Sequence, residues 1–476
     1  MNEYIWRLSL LIILPLVGGL IAFSSEKLAR KISIFTALVT LLVSLCCSLY
    51  ALPDAGVSFS LPWVNALGAN YSLQLSGSNY LMVLLTALLF VFIFIYKQPK
   101  EIDRSDRYYG LMLLAMSGLM GVFLAHDLLL FYFFWELALI PVYILASMWG
   151  GEKRIKVAFK FFVYTFLGSL LMLGSILYLY IQSPAKNFSF DSLFVVAQQL
   201  SSTEQIACFL TFFIAFAIKM PIFPLHSWQP DAYQQMLTPV TIVMSALMAK
   251  MGLFAAQKWM IPYFPQGFEA TQTCLILLSL ISIVYGSLVA FVQTNIKKLI
   301  AYSSLAHIGL MALALFANGK GSQDAVMLQM FMHGINITAI WLVLWSIEDI
   351  YQSQEIKDMG RLANIVPGLS IFLIIATLAN LGLPLTSGFV GEFLLFNSVF
   401  QSTHQWHILA MIIAGTGIIL GAVYMLNMVQ KVAFVQNNEK SAVSLSKTEW
   451  LVLVVISAII LFLGVYPQAV LQWVQF

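Results

Sequence analysis

Residues 131–141 read FYFFWELALIP and place one carboxylate, Glu136, among large aromatic and aliphatic side chains. The whole chain is similarly apolar, with 61% hydrophobic and 9% charged residues and a mean hydropathy of +0.89. Soluble globular proteins carry roughly 25% charged residues. The composition therefore predicts an integral membrane protein. The net charge of +3 is spread along the chain, which argues against a nucleic-acid-binding protein.

Apolar segments of about 20 residues can cross a bilayer core of about 30 Å, and they satisfy their backbone polar groups as helices. We predict an all-α polytopic membrane protein with about 14 transmembrane helices of this kind. The predicted spans lie near residues 4–23, 32–52, 80–96, 108–125, 127–149, 157–182, 204–225, 236–257, 273–292, 297–317, 325–347, 366–398, 405–430 and 450–473.

The loops between these spans differ in charge. When each loop is numbered by the helix it follows, the odd-numbered loops hold 17 Lys and Arg residues, whereas the even-numbered loops hold three, Lys186, Lys258 and Lys320. Positive residues stay on the cytoplasmic side of a membrane. We therefore expect odd loops inside and both termini outside. On the outer face, residues 57–75 predict a β-hairpin and residues 187–200 an amphipathic interfacial helix.

A few titratable side chains fall well inside the predicted spans. They are Glu136, Lys219, Lys250, His307, His333 and Glu392. Each charge at the bilayer centre costs about 2.5–3.5 kcal/mol, so stability alone does not favour the four acids and lysines. The alternative interpretation is that they only stabilise contacts between helices, and each histidine can simply hydrogen-bond across helices. Buried charges in membrane spans more often mark a path for ions or protons.

Two of the spans are predicted to be broken. Pro221 and Pro224 follow Lys219, and Pro384 lies in the stretch LGLPLTSG inside 366–398. Broken helices at matching places in two halves indicate a transport path. The breaks, in helices 7 and 12, predict two inverted five-helix repeats, spans 4–8 and 9–13, although Pro and Gly are also common in ordinary membrane helices.

These repeats give a predicted division of the chain into four parts. The parts are an N-terminal three-helix segment with the hairpin (1–107), a first half-channel (108–262), a second half-channel (263–430) and a C-terminal helix (431–476).

Lysines and carboxylates in such a setting can exchange protons. At 4 Å and an effective dielectric constant of about 20, a Glu–Lys pair is worth about 4 kcal/mol. Separating the pair therefore changes the proton affinity of both groups, and histidine suits a relay between them. The residues predict a proton path controlled by ion-pair-dependent pKa switching. No GxGxxG, CxxC or P-loop motif occurs, so we expect no cofactor or metal in this chain.

Several longer stretches carry a family resemblance. They are FYFFWELALIPVYILASMWG, KMPIFPLHSWQPDAY, LTPVTIVMSALMAKMGLF, NIKKLIAYSSLAHIGLM and LPLTSGFVGEF. In this order they resemble the antiporter-like membrane subunits of NADH–quinone oxidoreductase (respiratory complex I) and the related Mrp antiporter subunits. The acid at Glu392, the length and the FYFFWELALIP stretch are similar to the M-type subunits, whereas the L and N types resemble one another in carrying lysine at that position.

The resemblance implies roles for the matching residues. Glu136 would pair with Lys219, and Lys250 would pass the proton toward the second half. His307 and His333 would relay it to Glu392 at the outlet. Asp127, at the start of helix 5, would couple to a neighbouring subunit.

The resemblance also implies a setting. The chain would be a proton-translocating subunit in a bacterial inner membrane, beside L-, N- and K-type neighbours. Partner subunits would hold FMN, iron–sulfur clusters and quinone, so the enzyme activity would belong to the complex and no redox site to this chain. The alternatives are an Mrp-type cation/proton antiporter or a subunit of a membrane-bound hydrogenase or ferredoxin-linked complex. A passive scaffold or solute carrier is a third class, but a scaffold has no need of buried charges.

Overall fold

The computed structural model describes residues 2–50, 56–99, 102–436 and 442–474. Most of these residues are helical. The main helices are α1 (Asn2–Ala22), α2 (Ala29–Cys46), α3 (Gly77–Tyr96), α4 (Ser105–Leu124), α5 (Leu128–Met148), α6 (Arg154–Gln182), α7 (Phe190–Gln199), α8 (Ser202–Lys219), α9 (Gln229–Gln235), α10 (Thr238–Tyr263), α11 (Pro265–Phe291), α12 (Ile296–Ala317), α13 (Ser322–Tyr351), α14 (Pro367–Asn380), α15 (Ser387–Phe400), α16 (His407–Phe434) and α17 (Lys447–Val465).

The all-α membrane class is confirmed. Among the described residues, 12 helices are long and apolar enough to cross a membrane. The two remaining predicted spans coincide with shorter apolar helices, which are Trp6–Ala22 and the pair formed by α14 and α15. The count of 14, the inverted repeats and the four-part division stay predictions.

Burial separates inner from outer helices. The apolar windows of α10 and α13 are completely buried, whereas those of α2, α16 and α17 are only 33% buried. The outer helices expose large apolar side chains such as Phe35 and Ile419. Such a surface suits lipid. Of the titratable side chains predicted inside the spans, Lys219, Lys250, His333 and Glu392 are buried, whereas Glu136 and His307 are half-buried.

Both predicted helix breaks are present. Helix α8 ends at Lys219, and the chain resumes as α9 after a turn that contains Pro221 and Pro224. The indole N–H of Trp228 donates to the carbonyl of Ile218 at 3.0 Å, which satisfies one of the carbonyls that the break exposes. The second break separates α14 from α15 and contains Gly382, whose φ is +63°.

Helix α10 contains two π-helical segments, Met244–Met248 and Ala256–Met260. Such segments widen a helix by one residue and often mark functional sites. The second segment corrects one loop assignment. Lys258, which the charge pattern places in an even-numbered loop, lies inside α10. Two of the lysines counted in odd-numbered loops, Lys100 and Lys440, lie outside the described residues.

The two structured loops are confirmed. Strands β1 (Val57–Val64) and β2 (Ala69–Leu75) pair antiparallel, and Gly68 at φ +66° completes the turn between them. The interfacial helix is α7, which begins at the N-cap Ser189 and buries Leu193, Val196 and Ala197. Leu128 N donates to Phe188 O at 2.9 Å, so the segment before α7 is fixed to the start of α5.

Candidate functional site

Glu136 lies near the middle of α5 and is half-buried. Its aromatic neighbours Phe131, Phe134 and Trp135 are buried, whereas Phe133 is 44% exposed. The aromatic stretch therefore shields the carboxylate on one side and faces outward on the other. Among the described residues, Glu136 Oε1 has no hydrogen-bond partner.

Lys219 is the last residue of α8, where the negative end of the helix dipole favours a cation. Its ammonium lies 5.4 Å from the ring centroid of Trp135 and 6.0 Å from that of Phe161. Lys219 Nζ also lacks a hydrogen-bond partner within the described part of the chain. The structure thus brings Lys219 beside the residue that precedes Glu136, but it leaves the expected Glu136–Lys219 contact open.

Lys250 is completely buried in α10. It follows the first π-helical segment, and its ammonium donates to the carbonyl of Ser245 inside that segment at 2.6 Å. Gly252, two residues later, lets α10 pass close to α8, because a Cβ there would lie 2.6 Å from Phe216 O. The irregular helix therefore holds Lys250 close to the first break.

His333, His307 and Glu392 form a connected set in the second half. The rings of His333 and His307 are 5.2 Å apart, and His307 Nδ1 lies 3.3 Å from Glu392 Oε1. Lys250 is close enough to act electrostatically on His333. Both ring nitrogens of His333 lack a partner among the described residues, so they remain open to a mobile proton carrier such as water.

Residues at the second helix break form hydrogen bonds around His307. Asn380 Nδ2 lies 3.2 Å from His307 Nε2 and 3.4 Å from Ser303 Oγ, and Tyr424 OH donates to the same hydroxyl at 3.1 Å. A cavity of about 30 Å³ adjoins His307, Asn380, Glu392 and Tyr424, which is room for a water molecule. Asn380 was not predicted, although it immediately precedes LGLPLTSG.

Asp127 is a structural anchor. Its Oδ1 accepts the backbone N–H groups of Leu129 and Leu130 at 3.1 Å, which makes it the N-cap of α5. Its Oδ2 accepts Asn70 N from strand β2 at 3.2 Å. Burial raises the pKa of this carboxyl group, and the three hydrogen bonds oppose that rise. A role in coupling to a neighbouring subunit stays a prediction.

A vestibule that the sequence did not reveal lies at the odd-loop end of the molecule. We use this name for a cavity of about 630 Å³ lined by segments 150–151, 234–239 and 352–355 together with Lys297 and Glu348. Lys297 Nζ lies 3.0 Å from Glu348 Oε2, which also accepts Thr238 Oγ1 at 2.8 Å. The charge pattern places Lys297 in an odd-numbered loop and gives no sign of its partner Glu348, so only the fold pairs them.

The comparisons with known proteins agree with this architecture. Residues 125–420 match the family model described as NADH:quinone oxidoreductase/Mrp antiporter, TM. The NADH-quinone oxidoreductase subunit M of Rhodobacter capsulatus is 36% identical over 461 residues, covering 94% of this chain and 89% of that protein. The subunit M of Escherichia coli strain K12 is 32% identical over 494 residues, covering 97% and 95%.

Two solved structures share the fold. A chain of respiratory complex I from Thermus thermophilus with bound NADH has a TM-score of 0.88 at 29% identity, covering 98% of this chain and 97% of that one. A chain of the Mrp complex from Dietzia sp. DQ12-45-1b has a TM-score of 0.86 at 20% identity, covering 98% and 51%, which shows likeness of fold alone. This chain belongs to the NADH:quinone oxidoreductase/Mrp antiporter transmembrane family.

Proposed function

We propose that the chain is the M-type, proton-translocating membrane subunit of an NADH–quinone oxidoreductase. The names of its relatives and their coverage of nearly the full length support this assignment. The enzyme activity belongs to the complex. FMN, iron–sulfur clusters and quinone are expected in partner subunits, which carry out the electron transfer that drives this chain.

The observation that carries the proposal is the line of titratable groups from Lys250 to Glu392. Lys250 is buried in α10, which packs against the helix α13 that carries His333. The two histidine rings are 5.2 Å apart, and His307 contacts Glu392 at 3.3 Å. Histidine can accept a proton on one nitrogen and release another from the second. A proton on Lys250 Nζ therefore has a route through His333 and His307 to the Glu392 carboxylate, with water bridging the gaps.

In this proposal, the position of Lys219 relative to Glu136 determines how readily Lys250 holds its proton. In the observed position the ammonium of Lys219 rests at the end of α8 over Trp135. Movement toward Glu136 would place its charge beside the carboxylate and farther from the central lysine. Because like charges disfavour one another, this movement makes it easier for Lys250 to hold a proton, and the return movement makes it easier for Lys250 to release one. Redox chemistry elsewhere in the complex would bias the two positions.

The membrane setting completes the proposal. The chain is a multi-pass membrane protein, which we place in a bacterial inner membrane with both termini on the periplasmic side. Moving Lys258 into a helix leaves two of the three lysines in even-numbered loops, which strengthens the charge asymmetry. The proposed direct neighbours are the L-, N- and K-type membrane subunits.

The test uses the assembled complex in inverted membrane vesicles. Glu136→Gln and Lys219→Ala are each expected to reduce NADH-driven proton uptake strongly, because each removes one partner of the switch. Glu269→Gln is the matched control, since this acid is exposed at the start of α11. Full pumping by an assembled Glu136→Gln complex would contradict the mechanism. Mass spectrometry of subunits that copurify with the tagged chain tests the assignment to the complex.

A cation/proton antiporter of the Mrp type is the second candidate. The likeness of fold to the Dietzia Mrp complex, over 98% of this chain, favours its consideration. Sodium–proton exchange by vesicles that receive no electron donor would support it. Pumping that requires NADH and proceeds without sodium would support the first proposal. The same assay distinguishes a membrane-bound hydrogenase or ferredoxin-linked complex if the donor is varied.

A further inference from the structure

Helix α10 ends in a second polar cavity, on the face opposite the vestibule. This even-face cavity has a volume of about 260 Å³, and its walls include Asn79, His126, Gln257, Lys258 and Gln323. They come from the ends of helices beside the hairpin, the α4–α5 turn and the α12–α13 turn, all of which are even-numbered loops. Helix α10 thus joins two polar cavities, and the completely buried Lys250 lies between them.

Lys258 stands at the inner edge of the even-face cavity. Its ammonium donates to the Ala125 carbonyl at 2.7 Å and lies 5.3 Å and 5.7 Å from the ring centroids of Trp259 and Phe254. A carbonyl and two aromatic faces stabilise a cation without neutralising it. The second π-helical segment holds the residue in this position. These contacts hold Lys258 Nζ at a fixed point, in surroundings that suit an ammonium ion.

Three other titratable groups, His126, Asp127 and Asp191, lie near this end of α10. Burial, and then the Lys258 ammonium, lower the pKa of His126 to about 4, so that its ring is neutral at pH 7. The carboxylate of Asp127 is occupied by three backbone N–H groups. Asp191, in the first turn of α7, acts on His126.

A dry segment separates the two lysines of α10. Lys258 is eight residues from Lys250, or about 12 Å along the helix. Between them, Met251, Leu253, Phe254, Ala255 and Ala256 are apolar and buried, whereas Gln257 is polar and, with Phe254, lines the even-face cavity. With an effective dielectric constant of about 20, a positive charge on Lys258 repels an extra proton about 12 Å away, near Lys250, enough to make that proton about tenfold less frequent there. The reduction grows as that charge approaches.

We propose that Lys258 is a fixed cationic plug, which together with the apolar segment prevents protons from leaking between Lys250 and the even-face cavity. The proposal rests on the proposed function, because a leak matters where protons are moved. It explains how the first half-channel can open to the vestibule without letting protons flow uncoupled across the membrane. Protons then leave through His333, His307 and Glu392 rather than through α10.

The experiment measures passive proton flux in proteoliposomes that contain the purified complex and receive no NADH. A potassium diffusion potential set with valinomycin drives protons inward, and a trapped dye reports internal pH. Lys258→Gln retains a donor for the Ala125 carbonyl but lacks the charge, and we expect its leak to be about tenfold faster than that of the parent. Lys320→Gln, at an exposed lysine in the α12–α13 turn on the same face, should not leak.

Lys258→Arg distinguishes a plug from a proton carrier. Guanidinium keeps its charge but does not release its proton. A plug therefore predicts a tight Lys258→Arg complex with normal NADH-driven pumping. Loss of pumping in that variant, or a tight membrane with Lys258→Gln, would overturn the proposal. If Lys258→Gln does not assemble, Lys258→Arg alone decides. Because the leak assay uses no NADH, a failure of pumping in the parent refutes the proposed function separately.

Discussion

Gly382→Ala is expected to slow proton transfer at the outlet several-fold without unfolding the protein. Gly382 has φ +63°, and a Cβ built there would lie 2.4 Å from Glu392 Oε2. The left-handed conformation costs alanine about 1–2 kcal/mol. In addition, the carboxylate must retreat by about 0.6–1.0 Å to reach an acceptable separation of 3.0–3.4 Å.

We expect the whole carboxylate to move, so that its other oxygen, Oε1, lies farther from His307 Nδ1 than the observed 3.3 Å. With an effective dielectric constant of about 20, the ion-pair energy falls from about 5.0 kcal/mol to between about 4.3 and 3.9 kcal/mol. The difference, about 0.7–1.1 kcal/mol, corresponds to a three- to sixfold weakening of the contact between Glu392 and a protonated His307. We expect the rate of proton translocation to fall by about this factor.

The assay is NADH-driven dye quenching in vesicles, with the amount of assembled complex measured on native gels. Gly415→Ala is the matched control, because a Cβ at that helical position meets nothing within 4 Å. If an assembled Gly382→Ala complex pumps protons at the parent rate, the argument that Glu392 must lie against Gly382 to contact His307 is refuted.

Two further predictions concern stability. Glu348→Gln removes the counter-ion of Lys297, whose side chain is 4% exposed, and should destabilise the subunit by about 3 kcal/mol. The double variant Lys297→Met/Glu348→Leu should recover much of the lost melting temperature. Equal melting temperatures of the single variant and the parent would contradict the pairing. The pKa of His126 is lowered to about 4, so the unfolded chain binds the proton more tightly and stability should fall as pH decreases from about 6.5 to about 4. His126→Phe, which preserves stacking on Phe190, should flatten that part of the melting-temperature profile, and an unchanged slope would assign it to other groups.

The helices and their breaks were predictable because both have strong local causes. Long apolar segments must form helices in lipid, and Pro221 and Pro384 interrupt helices by removing N–H groups. The hairpin and α7 were predictable from period-2 and amphipathic patterns. The π-helical segments of α10 were not, because MSALM and AQKWM contain no proline or glycine. Their position therefore depends on packing, which also explains why Lys258 was assigned to a loop.

The candidate site also contains some residues that could be predicted from the sequence and others that could not. Buried charges such as Lys250 and Glu392 stand out because their cost in lipid is large. Polar residues whose importance depends on a distant partner do not stand out. Asn380 gains significance only from its position beside His307, and Lys297 only from its contact with Glu348. The partner in each case is tens of residues away, so no local pattern could reveal the contact.

The open arrangement of Glu136 and Lys219 is compatible with a switch. In the observed position, Lys219 gains about 0.3–2 kcal/mol from the end of α8 and about 0.5–2 kcal/mol from the face of Trp135. A closed pair with Glu136 at 4 Å would gain about 4 kcal/mol before the ammonium gives up those contacts. The two positions therefore differ by about 0–3 kcal/mol, so a bias of this size from a neighbouring subunit can move the population from one to the other. A permanently closed ion pair could not respond in this way, because the same bias would be too small to open it.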